Sequence, residues 1–235
     1  MKGKKDRAID SSSMPKEMRG FEFIADGLLF VPLWIISALI GQITYFYTDR
    51  VGMATVTVGI VVLVPRILDA FTDLIMGKIV DRTKTRFGKA RPWILWMSVP
   101  FLFGVVLLFT IPRDAGNTLQ ALYGIGTITL ATAIIYTALM IPYSCMMYYQ
   151  TKSKNERTKM GIIRAVIGTV TAMLISSFWV PITNALGGDQ AAWIKSSMIV
   201  AALGFVCIMV NFFVCKERHS ADEEVEQVAD GTENN

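Results

Sequence analysis

The chain has 235 residues, 53% of them hydrophobic, and a mean hydropathy of +0.46, which is more apolar than soluble domains usually are and indicates a membrane protein. Its formal charge of +4 is scattered between apolar segments instead of gathered in a patch, which argues against nucleic acid as a partner. The single histidine, His219, leaves no His-based triad or zinc site, and Cys145, Cys207 and Cys215 lack the spacing of metal ligands or of a disulfide framework.

Residues 1–27 are polar and basic, with Asp10-Ser11-Ser12-Ser13 reading as a loop, and form a cytoplasmic N-terminal segment. They do not read as a secretory signal, because the apolar run that follows is too long and ends in no small-residue cleavage site. Six apolar segments come next, near 28–47, 53–77, 92–112, 119–149, 160–184 and 193–215. Each is long enough to cross a bilayer as a helix of about 20 residues. Aromatics such as Tyr45, Tyr47, Trp93, Trp96, Tyr148, Tyr149, Trp179 and Trp193 cluster near their ends, as an interfacial belt requires. Of the 23 Lys and Arg residues, 18 fall on one side of this arrangement and three on the other. The positive-inside rule then places both termini in the cytoplasm. The sequence thus predicts an all-α membrane protein with a six-helix bundle over 28–215, followed by an acidic, disordered cytoplasmic tail over 216–235.

Three ionisable groups interrupt the second apolar segment. In Arg66-Ile67-Leu68-Asp69-Ala70-Phe71-Thr72-Asp73 the two aspartates are four apart, so a helix puts them on one face with Arg66 a turn before. Such groups are expensive in a bilayer and normally face a bundle interior or wet cavity on an ion or substrate path. One reading has Arg66 and the aspartates pairing only to fix packing; the other is a cation site, since a bound ion neutralises both carboxylates. The bound species is either sodium or a proton. Thr72 and Thr137 can add the neutral oxygens that hard cations prefer, although intramembrane threonines also bond carbonyls of their own helix. Pro142 in the fourth segment frees a backbone carbonyl, as in the broken helices that line substrate cavities. Tyr136 and Tyr143 can stack on a sugar or donate to its hydroxyls. Arg164, a few residues into the fifth segment, either snorkels to the interface or serves substrate. The basic loop at 77–92 offers Gly77 for close helix approach, Asp81 for capping or pairing, and Pro92 for the first turn of the next helix.

Together these residues resemble the glycoside–pentoside–hexuronide:cation symporter family, which includes the melibiose/cation symporters. The resemblance covers nearly all of 28–215. Its most specific parts are Tyr45-Phe46-Tyr47-Thr48-Asp49, the 66–73 stretch, Asp81-Arg82-Thr83-Lys84-Thr85-Arg86-Phe87-Gly88-Lys89 with Arg91-Pro92-Trp93, and Ile141-Pro142-Tyr143. It implies a major facilitator fold of two six-helix halves with a sugar site between them, of which this chain supplies the N-terminal half. It further implies that Asp69 and Asp73 are coupling-cation carboxylates, with Thr137 as a further ligand and Thr72 beside them. Tyr136, Arg164, Tyr143 and Arg66 then serve substrate, and Gly77, Asp81, Arg82, Arg86, Gly88 and Lys89 form the loop motif that gates. Melibiose-type members carry sugar-binding aspartates where this chain has Leu33 and Met140. Glucuronide and xyloside carriers therefore fit better, and Arg164 could hold a uronate by paired hydrogen bonds.

The expectation is symport of a glycoside, pentoside or hexuronide with Na+ or H+, in a bacterial-type inner membrane. It involves no cofactor beyond the coupling ion, no enzymatic step and no nucleic acid. The partners expected are the sugar, the lipid bilayer and either a second six-helix half or a second copy of the chain. The alternative is a non-transporting membrane protein that keeps the scaffold as an interaction or regulatory module, or as a truncated remnant.

Overall fold

The computed structural model describes residues 18–83, 85, 88–113 and 115–218; the loop expected at Asp10–Ser13, Arg86, and the tail from 219 lie outside them. The described residues are almost wholly helical and contain no strand. Six rods run up and down. The first is α1 (Gly20–Leu28) continued by α2 (Phe30–Tyr45) and a π-helical end, Phe46–Val51. The second is α3 (Thr55–Arg82), and the third is α4 (Arg91–Trp96) with α5 (Ser98–Leu107). The fourth joins α6 (Asn117–Thr129), a π-helical stretch (Leu130–Tyr136) and α7 (Thr137–Gln150); α8 (Lys154–Ala185) and α9 (Gln190–Val214) are the last two. Among the described residues, four helical stretches are long and apolar enough to cross a membrane: Gly20–Val51, Asn117–Gln150, Lys154–Ala185 and Gln190–Val214.

The breaks have covalent causes. The 92–112 segment, expected as one helix, is divided at Met97 because Pro100 has no N–H to give Trp96 and its ring crowds that carbonyl. Pro32 does the same to Leu28, and the first rod tightens at Leu29, whose N–H reaches Asp26 O at 3.2 Å. That rod also begins at Gly20, eight residues before the apolar run. Gly52 closes its other end with φ +82°, a left-handed value that glycine adopts without strain.

The core is aliphatic in the middle and aromatic at one end, where Phe46, Phe109, Trp179 and Trp193 interlock with centroids 4.9 to 6.0 Å apart. Helix α8 touches the bundle along one narrow face, with only 11% of its apolar window buried. Gly168 makes that contact with α2, where a Cβ would collide with Trp34 and Phe30. Outward, α3 and α8 present Leu63, Ile67, Phe71, Val170, Met173 and Phe178. Bare apolar side chains of this kind belong against lipid or another apolar surface, not water.

The end opposite the aromatic cluster gathers Met18, the α3–α4 loop, the α7–α8 connection and the exit of α9. Part of the segment expected as an unstructured tail is fixed there. The Glu217 carboxylate accepts N–H bonds from Lys89, Ala90 and Arg91 at 2.8 to 3.0 Å, and Arg218 forks onto Glu22 at 2.7 and 2.8 Å. Glu217 lies directly against Gly88, whose φ of +109° and lack of a Cβ the contact requires.

Candidate cation and substrate cleft

The cleft opens where the fourth rod passes α3. A cavity of about 150 Å³ is lined by Ile36, Ser37, Ile40, Arg66, Asp69, Thr132 and Tyr136. Asp69 and Asp73, one turn apart on α3, point to the same side, as their spacing requires. Asp73 Oδ1 accepts a 2.8 Å hydrogen bond from the Thr137 hydroxyl. Thr137 itself is buried, and the same hydroxyl lies 3.3 Å from the Thr132 carbonyl. Asp69 is half-buried and its Oδ1 is buried with no hydrogen-bond partner. An acceptor withdrawn from water and given no donor is costly.

The fourth rod reaches α3 in this way because its middle is π-helical, a rare conformation that tends to occur at functional sites. Thr132, Tyr136 and Thr137 all come from this stretch or its edge. Arg66 lines the cleft with Asp69, yet among the described residues no salt bridge joins it to either aspartate. Oxygen donors are at hand for a small hard cation: the two carboxylates, Thr137 and Thr132. The Thr72 hydroxyl is occupied otherwise, donating to Asp69 O at 3.0 Å and Leu68 O at 3.3 Å within its own helix.

Two other residues expected at the substrate stand apart from this cleft. Arg164 is buried and forks onto Asp26, Nε to Oδ2 at 2.7 Å and Nη2 to Oδ1 at 2.9 Å. Its guanidinium also sits 3.7 Å from the centroid of the Tyr143 ring. The Tyr143 hydroxyl donates to the Asp26 carbonyl at 2.8 Å. Of the loop residues, Gly77 makes no close helix approach, since a Cβ there would meet open space. Asp81 and Arg82 are exposed, Gly88 and Lys89 hold the turn that receives Glu217, and Arg86 is outside the described residues.

Sequence reasoning missed Thr132, Ser37, Asp26 and Glu217. Thr132 was findable, since it lies four residues before Tyr136 and shares its face. Ser37 is a lone hydroxyl in an apolar run. Asp26 and Glu217 fall outside the apolar segments and carry no local signal.

Comparison with known proteins gives a consistent result. Residues 29–235 match a family model described as MFS/sugar transport protein. An isoprimeverose transporter of Lactiplantibacillus pentosus is 33% identical over 178 residues, which is 74% of this chain and 37% of the relative. In Escherichia coli (strain K12), the inner membrane symporter YicJ is 34% identical over 179 residues, covering 75% of this chain and 38% of its own length. A second protein of that strain, YagG, provisionally named a glycoside/cation symporter, is 36% identical over 180 residues, with 76% and 39% covered. The chain thus spans under two fifths of the length of these relatives.

Proposed function

The chain belongs to the MFS/sugar transport protein family, a family of transporters and not of enzymes, and we propose that its six rods form one half of a cation-coupled glycoside symporter. The observation that carries this is the cleft. A buried Asp69 oxygen without a partner stands beside Asp73, whose own carboxylate is held by Thr137. Na+ or a proton binds at that oxygen, and the neutralised pair then tolerates an apolar sugar face nearby. Tyr136 and Arg66 line the same cleft and contact the substrate. Arg164 is left out of the substrate set because its guanidinium is engaged by Asp26.

In this reading all six rods span the bilayer, with Met18, the basic loops and the α9 exit on the cytoplasmic side. The second half of the cavity comes from a further six-helix unit, either covalently continuous or a second copy. The two units rock against each other to alternate access. Cation and sugar favour each other's binding by the same factor, as linkage requires. Isoprimeverose and glucuronides are the first substrates to test, because relatives are named for them.

The test is sugar uptake by the assembled transporter under imposed Na+, Li+ or proton gradients, with Asp73→Cys for comparison. The variant is expected to lose cation-stimulated uptake. Stimulation that survives the substitution would count against the assignment.

A further inference from the structure

Four rods converge on one residue at the end of the bundle away from the aromatic cluster. Asp26, in α1, is fully buried, and both of its carboxylate oxygens are taken. Arg164 of α8 forks onto them, and Gln150 of α7 adds a third donor to Oδ1 at 3.1 Å. The Asp26 carbonyl accepts from Tyr143 of α7, and Asn211 of α9 donates to the Ala25 carbonyl at 3.1 Å. The helix is interrupted just beyond these carbonyls at Leu29, whose N–H turns to Asp26 O at 3.2 Å, and Pro32 supplies no N–H to Leu28. Gly27 lets α1 lie flush on α8, since a Cβ there would press on Ile163 and Ile167.

Packing alone could hold a nine-residue segment in place, and an ion pair buried in apolar surroundings is generally no more stabilising than well-packed hydrophobes. What an ion pair adds is an all-or-none character: complete, it costs little, and with one partner displaced it strongly destabilises the closed arrangement. The geometry points to Asp26 and Arg164 as the lock of a hinged segment. In this arrangement α1 turns about residues 27–29, closed while the pair is made and swung away from α8 and α9 when it is broken. A second tie, Arg218 to Glu22, lies at the partly exposed rim, where ion pairs contribute little. The inference concerns a site separate from the cleft and stands whether or not the chain couples a cation to sugar.

Cys215 is a built-in reporter. It is buried, with its Sγ 3.9 Å from the Glu22 carbonyl of α1 and 3.6 Å from Asn211 Nδ2, so displacement of α1 uncovers it. Cys207, two turns earlier on α9, is buried too but has no contact of this kind with α1, and serves as the control. The experiment measures alkylation of the full chain in membranes by N-ethylmaleimide. One background retains only Cys215 and the other only Cys207. Arg164→Gln is expected to speed Cys215 labelling by roughly tenfold or more, since the unpaired Asp26 charge shifts the local opening equilibrium. Cys207 should stay within about twofold of its unmodified rate, because the opening is local. Adding Asp26→Asn to Arg164→Gln removes the stranded charge and should bring Cys215 part of the way back. Tyr143→Phe takes away one hydrogen bond and spares the pair, so it gives a smaller rise and decides the matter if Arg164→Gln does not accumulate. Unchanged Cys215 labelling overturns the lock. So does an equal rise at Cys207, which means that the pair merely holds the whole bundle together.

Discussion

Asp69→Asn removes one charge from the cleft while keeping the side-chain volume, and the structure predicts opposite effects on the empty and the occupied protein. The Asp69 oxygen that is buried without a partner is a liability in the cation-free state. Neutralising it should leave that state as stable as before, or more stable by up to about 1 kcal/mol. The occupied state loses. Two unit charges about 4 Å apart attract by about 4 kcal/mol at an effective dielectric of 20. If roughly half of that is already offset by dehydration of the ion, about 2 kcal/mol is lost, close to 30-fold in affinity. At a cation concentration about 100 times the dissociation constant, binding stabilises the unmodified protein by about 2.7 kcal/mol; a site 30-fold weaker gives about 0.9 kcal/mol. Thermal unfolding in detergent, in NaCl or LiCl against choline chloride, reads both effects, and a pH series takes the place of the salts for a proton-coupled site. The Asn variant should melt no lower in choline and keep about a third of the cation shift, in the ratio just given. A lower melting point in choline, or a full cation shift, refutes the role given to Asp69.

We predict that Thr137→Val, which deletes the hydroxyl bound to Asp73, weakens apparent cation affinity about tenfold in cation-titrated uptake, while Thr137→Ser stays near the original. Gly168→Ala forces a Cβ into Trp34 and Phe30 and should cost about 1–3 kcal/mol, read as a lower melting temperature in every salt. Glu217→Ala strands three loop N–H groups and should hasten trypsin cleavage at Lys89 several-fold, with Glu217→Gln in between.

What the sequence revealed, and what it hid, follows from distance along the chain. Asp69 and Asp73 were legible as a pair because helical geometry alone sets their relation. The helical rods were legible because an apolar run of bilayer length has few alternatives. Arg164 could not be assigned in this way: its partner is 138 residues away, and a lone arginine near a helix end looks the same whether it snorkels, binds substrate or pairs. Asp26 was hidden because the first rod extends below its apolar stretch, and the acids and bases of that extension resemble a solvated loop. Glu217 and Arg218 resembled the beginning of a charged tail for the same reason. The Met97 break was present as Pro100, but a proline eight residues beyond the start of an expected helix can bend it or divide it, and only packing decides.

The widened stretch at Leu130–Tyr136 has a consequence for how this chain tolerates changes in length. On an uninterrupted α-helix, five residues turn through about 500°, so Thr137 would point about 140° away from Thr132. The looser turn brings both towards α3, and Thr137 reaches Asp73 only because of it. The stretch therefore acts as one residue inserted into a helix and retained. Removing one residue between Thr132 and Thr137 would restore regular winding and still leave the two threonines within about 40° of each other, whereas adding one more would turn Thr137 off the carboxylate, with every side chain of the cleft left chemically intact.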